Sequence, residues 1–110
     1  MILYGIANCD TVRKARKLLE QAGHSFLFHD FRKEGLTAEM IQDWLTHTDY
    51  SKLINKRSTT WKGFNELEQQ AVESQDLQLV CQHPTLIKRP LLDTGSGLLI
   101  GFNASEYQQL

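Results

Sequence analysis

Tyr4-Gly5-Ile6-Ala7-Asn8-Cys9-Asp10-Thr11-Val12-Arg13-Lys14-Ala15 is the stretch around which the chain is organised. A short apolar strand, Ile2 to Tyr4, runs into a turn with Gly5 and Asn8, and a helix-forming run opens just after Cys9. That order puts Cys9 at a helix N-terminus, where backbone N–H groups lack intrahelical partners and the helix dipole is positive. Both favour the thiolate, which is the nucleophilic form of cysteine. Arg13 lies one helical turn on and Lys14 is close by, so a cation is expected near the sulfur, with Asp10 opposing it. A thiol of pKa ~8.5 is only about 3% ionised at pH 7. Half-ionisation needs a shift of ~1.5 units, or about 2 kcal/mol, which a helix terminus and one nearby cation can supply. The same spacing also suits a small apolar residue that merely closes a strand–helix turn.

Downstream, Val12, Ala15, Leu18, Leu19 and Ala22 recur at helical spacing and Gly23 is a natural stop, so helix one should cover roughly 10–22. Arg13, Lys14, Arg16 and Lys17 then form a solvated basic face. Phe26, Leu27, Phe28 and Phe31 read as a second strand near 25–31, parallel to the first, with Arg32-Lys33-Glu34-Gly35 as a polar turn. Cys9 would lie at the carboxyl end of strand one, where open α/β sheets bind ligands.

Thr37 is a candidate N-cap, with Leu36 and Ile41 as a hydrophobic staple, for a helix striped by Met40, Ile41, Trp44 and Leu45. Asn55-Lys56-Arg57-Ser58-Thr59-Thr60-Trp61 reads as an exposed basic loop able to bind an anion. Phe64, Leu67, Ala71 and Val72 suit one short helix, and Leu77, Val80 and Cys81 another that ends before Pro84. Cys81 is expected to be a small buried hydrophobe, with a resolving thiol as the other reading. Cys81-Gln82-His83 has no second ligand pair, so no metal site is expected, and His24, His29 and His47 are expected at the surface. Pro90 precedes a strand at Leu91–Asp93, Thr94-Gly95-Ser96-Gly97 is a hairpin turn, and Leu98–Phe102 is the return strand. Asn103 or Ser105 should cap a last helix.

The 110 residues suit one domain, with the middle stretch, about 36–83, as a helical insertion. Net charge is −1, so no global field favours nucleic acid or an anionic membrane. No apolar run approaches the ~20 residues of a membrane span. The two cysteines form no disulfide framework and no secretory signal is visible, so a reducing cytoplasm is expected. The chain is also expected to be a monomer.

A βαβ unit, a helical middle, a proline-led hairpin and a last helix look like an α/β thioredoxin-like fold with a helical insertion. Cys9-Asp10-Thr11-Val12-Arg13 resembles the Cys-x-(Ser/Thr)-x-Arg element of the glutaredoxin-dependent arsenate reductase (ArsC) family. His83-Pro84-Thr85-Leu86-Ile87-Lys88-Arg89-Pro90 is similar to that family's His-Pro-x-Leu-Ile-x-Arg-Pro segment. Asp30–Gly35 and Asn55–Trp61 look most like its YffB-type branch. The resemblance implies that Cys9 is the nucleophile, that Arg89 holds an oxyanion or a glutathione carboxylate, and that Arg89-Pro90 is a cis peptide. Asn8, Arg13, Asn55 and Arg57 are the further anion-binding candidates.

Arsenate reductases of this type use two further arginines, which should fall near Asn55 and Asn103. Neither is arginine here, although Arg57 lies two residues from the first. The phosphatase-like arsenate reductases need Cys-x5-Arg, and that position is Ala15. The expected function is therefore a glutathione-dependent thiol/disulfide reductase with one nucleophilic cysteine and no tightly bound cofactor. Its partners would be glutathione or a small disulfide, and glutaredoxin. A glutaredoxin-dependent arsenate reductase and an Spx-like protein-binding regulator are the alternatives. Val12 stands where a redox-switching Spx protein carries the second cysteine of Cys-x-x-Cys.

Overall fold

Ile2–Gly5 forms strand β1 in the computed structural model, which describes residues 1–110. Gly5, expected in the turn, is instead the last strand residue. A Cβ built there would lie 2.7 Å from Val12 Cγ2, so the absent side chain is what lets the next helix close on the strand. That helix, α1, covers Asp10–Gln21 and buries Val12, Ala15 and Leu19. Gly23 follows its C-cap with a positive φ of 78°, which a side chain would strain.

The second strand, β2, is shorter than its aromatic run implied, at Leu27–Asp30. Phe31–Glu34 instead makes one helical turn, α2, because the Asp30 carboxylate accepts from the Arg32 N–H at 2.9 Å. His29, expected at the surface, is half-buried. It packs with Tyr4 and Phe31 and lies 3.8 Å from the Glu34 carboxylate.

Two units organise the chain. The first comprises Met1–Glu34 and Arg89–Leu110, and the second Gly35–Lys88. In the first, strands β3 (Leu91–Asp93) and β4 (Leu98–Ile100) complete a four-stranded sheet of order β2-β1-β3-β4. β1 pairs parallel with β2 and antiparallel with β3, which pairs antiparallel with β4. Leu3, Ala15, Leu19, Leu92 and Tyr107 form a buried cluster beneath it. Tyr107 belongs to the last helix of the chain, Ala104–Gln108, whose N-cap is Asn103, its side-chain amide oxygen accepting from the Ser105 and Glu106 N–H groups. This is the thioredoxin-like fold.

The second unit is helical. Thr37 caps α3 (Ala38–Trp44) by accepting from the Met40 N–H, and Leu36 and Ile41 are both buried. Helix α4 covers Tyr50–Leu53. The expected loop at 55–61 is half helix. Asn55 turns the chain by accepting from the Arg57 N–H at 3.0 Å, and Ser58 caps α5 (Thr59–Gly63) through the Trp61 N–H. Polar hydroxyl and amide side chains here are caps and turn formers, the role these residues play where they compete with the backbone. A capping box of Asn65 and Glu68 opens α6 (Glu66–Glu73). Leu67, expected on its apolar face, is exposed, and Val72 is the buried residue of that helix. Helix α7 covers Leu77–Gln82, and Pro84–Leu86 is a 3-10 turn. The final helix, Ala104–Gln108, is α8.

Candidate functional site

Cys9 is the N-cap of α1, in extended backbone, three residues after the buried Ile6 that follows β1. Its thiol is partly buried. Burial is the largest single influence and pushes its pKa up, but it is outweighed. The Thr11 hydroxyl, the Val12 N–H, the Arg89 charge and the Thr11 N–H all favour the thiolate, and the net result is a pKa below the ordinary thiol value. The sulfur makes no capping hydrogen bond to the helix as it stands. The two N–H groups therefore act on the charged form, as unpartnered donors at a helix start do.

Arg13, the cation expected near the sulfur, is engaged by its own neighbours. Its guanidinium bonds the Asp10 carboxylate and, at 3.3 Å, the Asn8 amide oxygen. Both ends of the Arg13–Asp10 pair are well exposed, at 56% and 84%, and such a pair contributes little to stability. What it does is occupy Arg13, Asn8 and Asp10 with one another. The positive charge that favours the Cys9 thiolate is that of Arg89, 80 residues on, at the head of β3. The Arg89–Pro90 peptide is cis, and Pro90 is buried with its carbonyl accepting from the Gly101 N–H at 2.8 Å.

Thr11 matches the Ser/Thr position of the Cys-x-(Ser/Thr)-x-Arg element but was not among the expected site residues. Its Oγ1 lies 3.3 Å from Cys9 Sγ and 3.5 Å from the Arg89 carbonyl oxygen. The signal was there in the hydroxyl two residues after the cysteine, inside the first helical turn. Cys9, Thr11 and Arg89 thus meet in the first unit. Asn55 and Arg57 belong to the second, where they bond each other. Cys81 lies on α7, half-buried, with burial pushing its thiol pKa up, the opposite of Cys9. No cluster of three metal-ligating side chains exists. No helix is long and apolar enough to cross a membrane.

The ArsC family model matches residues 4–110. The chain belongs to the ArsC family. Within reach of this family stands an uncharacterized protein of Haemophilus influenzae, 40% identical over 107 residues, covering 96% of this chain and 94% of that one. The global transcriptional regulator Spx of Streptococcus pneumoniae is 30% identical over 101 residues, covering 90% of this chain and 76% of its own. A solved structure named YFFB (PA3664) protein superposes with a TM-score of 0.90 at 31% identity, covering 98% of this chain and 96% of that one. Within that family it is an ArsC/Spx-like protein of the YffB type.

Proposed function

We propose that this protein is a glutathione-dependent thiol/disulfide reductase with Cys9 as its single nucleophile. The observation that carries this reading is the set of groups around one sulfur. A helix start, a hydroxyl and a guanidinium outweigh burial and favour the thiolate at Cys9, while Cys81 is pushed the other way. The Cys9 thiolate attacks one sulfur of a glutathione mixed disulfide or of oxidised glutathione. The old S–S bond breaks, the leaving sulfur departs as a thiolate, and Cys9 is left bonded to glutathione. A second thiol then attacks that new disulfide and returns Cys9 as a thiolate. Val12 occupies the position of an adjacent resolving cysteine, so the second thiol comes from another molecule, glutathione or glutaredoxin. Arg89 is charged at every working pH and its planar fork suits a glutathione carboxylate.

The test is incubation with oxidised glutathione, read by mass spectrometry, together with turnover of a model glutathione mixed disulfide. One adduct on Cys9 is expected. Arg89→Ala should weaken glutathione binding roughly ten- to a hundredfold, the worth of a charge-assisted hydrogen bond, and Arg89→Lys should recover only part. No adduct on Cys9, or unchanged glutathione affinity in folded Arg89→Ala, would overturn the reading. The Spx relatives support a second reading, a protein-binding regulator. It gains if Cys9→Ser leaves the protein's function in the cell intact.

A further inference from the structure

Thr11 joins two groups that lie far apart in the chain, the Cys9 sulfur at 3.3 Å and the Arg89 carbonyl at 3.5 Å. A hydroxyl has one proton to donate and two lone pairs to accept with. It therefore cannot donate to both neighbours at once. As the second residue of α1, Thr11 has no carbonyl of the same helix one turn back to take its proton, and its side chain is exposed. Its branched Cβ limits it to few rotamers, so the oxygen stays in place while the O–H turns.

We propose that Thr11 is the positioning residue for the Cys9 sulfur, its hydroxyl proton turning from the Arg89 carbonyl to Sγ when the thiol ionises. In the thiol state the S–H donates to Thr11 Oγ1, and the Thr11 O–H donates to the Arg89 carbonyl. On ionisation the cysteine proton leaves to solvent, and the sulfur becomes an acceptor only. The Thr11 O–H then swings to the sulfur without any heavy atom moving. The exchange gives up a long bond, 3.5 Å against the ordinary O–H···O range, and gains a charge-assisted one. It also releases the Arg89 carbonyl at the moment the nucleophile forms, leaving an acceptor on the residue whose charge already favours that thiolate. This rests on Cys9 being the nucleophile and is independent of whether glutathione is its partner.

The experiment uses the full chain and follows alkylation of Cys9 by iodoacetamide against pH, with the Cys9 peptide resolved by mass spectrometry. Thr11→Val keeps the shape and removes the donor. Thr11→Ser keeps the donor and loses the methyl group. Thr11→Val should raise the midpoint and slow alkylation at pH 7 roughly three- to tenfold, a partly exposed share of a charge-assisted hydrogen bond, and Thr11→Ser should restore both. In a Cys81→Ser background at acid pH, the S–H stretching band should sit lower in wild type than in Thr11→Val, because the S–H is donating. A lowered wild-type midpoint that Thr11→Val leaves unchanged overturns the role of Thr11 alone. So does Thr11→Ser falling with Thr11→Val, since the methyl group would then be what matters. An ordinary midpoint in wild type overturns the nucleophile reading, and this proposal with it.

Discussion

Replacing Gly5 with alanine adds one methyl group at the seam between β1 and α1, and the geometry sets its cost. The new Cβ would lie 2.7 Å from Val12 Cγ2 and 3.3 Å from Cγ1, the first well inside any real carbon–carbon contact. The backbone at Gly5 is ordinary strand, so alanine adds no conformational strain and the cost is steric alone. Relief by rotating Val12 is closed off, because a valine in a helix holds one strongly preferred rotamer. Val12 is also fully buried, so neighbours stand behind it. Helix and strand must part, and overpacking of this kind costs about 1–3 kcal/mol. Urea unfolding of Gly5→Ala, Val12→Ala and the double variant measures it. Val12→Ala alone deletes two buried methyl groups, at roughly 1–3 kcal/mol. In the double variant alanine faces alanine, the clash is gone and the new methyl fills part of the hole. The double variant should therefore be no less stable than Val12→Ala, which makes the coupling between the two sites about 1–3 kcal/mol. Gly5→Ala within ~0.5 kcal/mol of wild type, the usual range for a harmless substitution, would refute the reasoning. So would costs that simply add.

Tyr107 is buried and its hydroxyl has no hydrogen-bond partner in the protein, so Tyr107→Phe should stabilise the fold by about 1 kcal/mol in urea unfolding. Burial pushes the Tyr107 pKa far up, and that of Tyr50 up to about 12. Groups raised in the folded state contribute stability that is whole below the unfolded value, ~10 for tyrosine, and lost as pH rises through the folded one. Wild type should therefore lose stability above pH ~10, and Tyr107→Phe should lose less, as thermal melts against pH will record. For Cys9 the sign is opposite: its lowered pKa contributes stability that is present above the ordinary thiol value and lost as pH falls through the folded one. Cys81→Ser should leave the alkylation midpoint of Cys9 where it is, below the ~8.5 of a free thiol, and an internal disulfide seen by mass spectrometry would contradict this. Arsenate turnover with glutathione and glutaredoxin should fall ~100-fold or more below that of a true arsenate reductase, since two missing charge-assisted bonds correspond to about 3 kcal/mol. Coupled NADPH oxidation measures it, and turnover within about tenfold of the control, or 1.4 kcal/mol, would contradict it.

The fold was legible wherever one physical signal dominated. The 3.6-residue recurrence of Val12, Ala15 and Leu19 produced α1 almost to its ends, and all three are buried. Thr37 and Asn103 each lie one residue before a helix and cap it. Legibility failed where two signals competed. The aromatic residues at 26–31 carry strand propensity, but the Asp30 side chain captures the next turn and starts α2 at Phe31. In the segment 55–61 polarity suggested a loop, whereas Asn55 and Ser58 use their polar atoms to fold the backbone into a turn and a helix. His29 looked like a surface histidine because its sequence neighbours carry no partner pattern. What half-covers it is packing against Tyr4, its partner on the adjacent strand, and Phe31.

The candidate site divides along the same line, between what proximity in sequence implies and what pairing in space decides. Arg13 was the natural cation for Cys9, four residues away on the same helix, yet Asp10 and Asn8 hold it. A guanidinium that already has a carboxylate beside it adds little net field at a third group. The carboxylate nearest Arg89 in sequence, Asp93, accepts instead from the Gly95 N–H at 2.8 Å, and the antiparallel pairing of β3 with β1 places the strand that Arg89 leads into beside the one that ends ahead of Cys9. The asparagines that stand near the expected arginine positions follow the same logic. Asn103 spends its side-chain amide oxygen on two N–H groups of α8, and Asn55 spends its own on the Arg57 N–H. Arginine at 103 would bring a charge but remove a cap, at a cost of about 1 kcal/mol, from the helix that carries Tyr107 into the core. These two asparagine side chains are therefore committed to holding the fold. On the function proposed above, the single guanidinium of Arg89 suits a thiolate meeting one carboxylate or disulfide better than a tetrahedral dianion that needs a guanidinium on several sides.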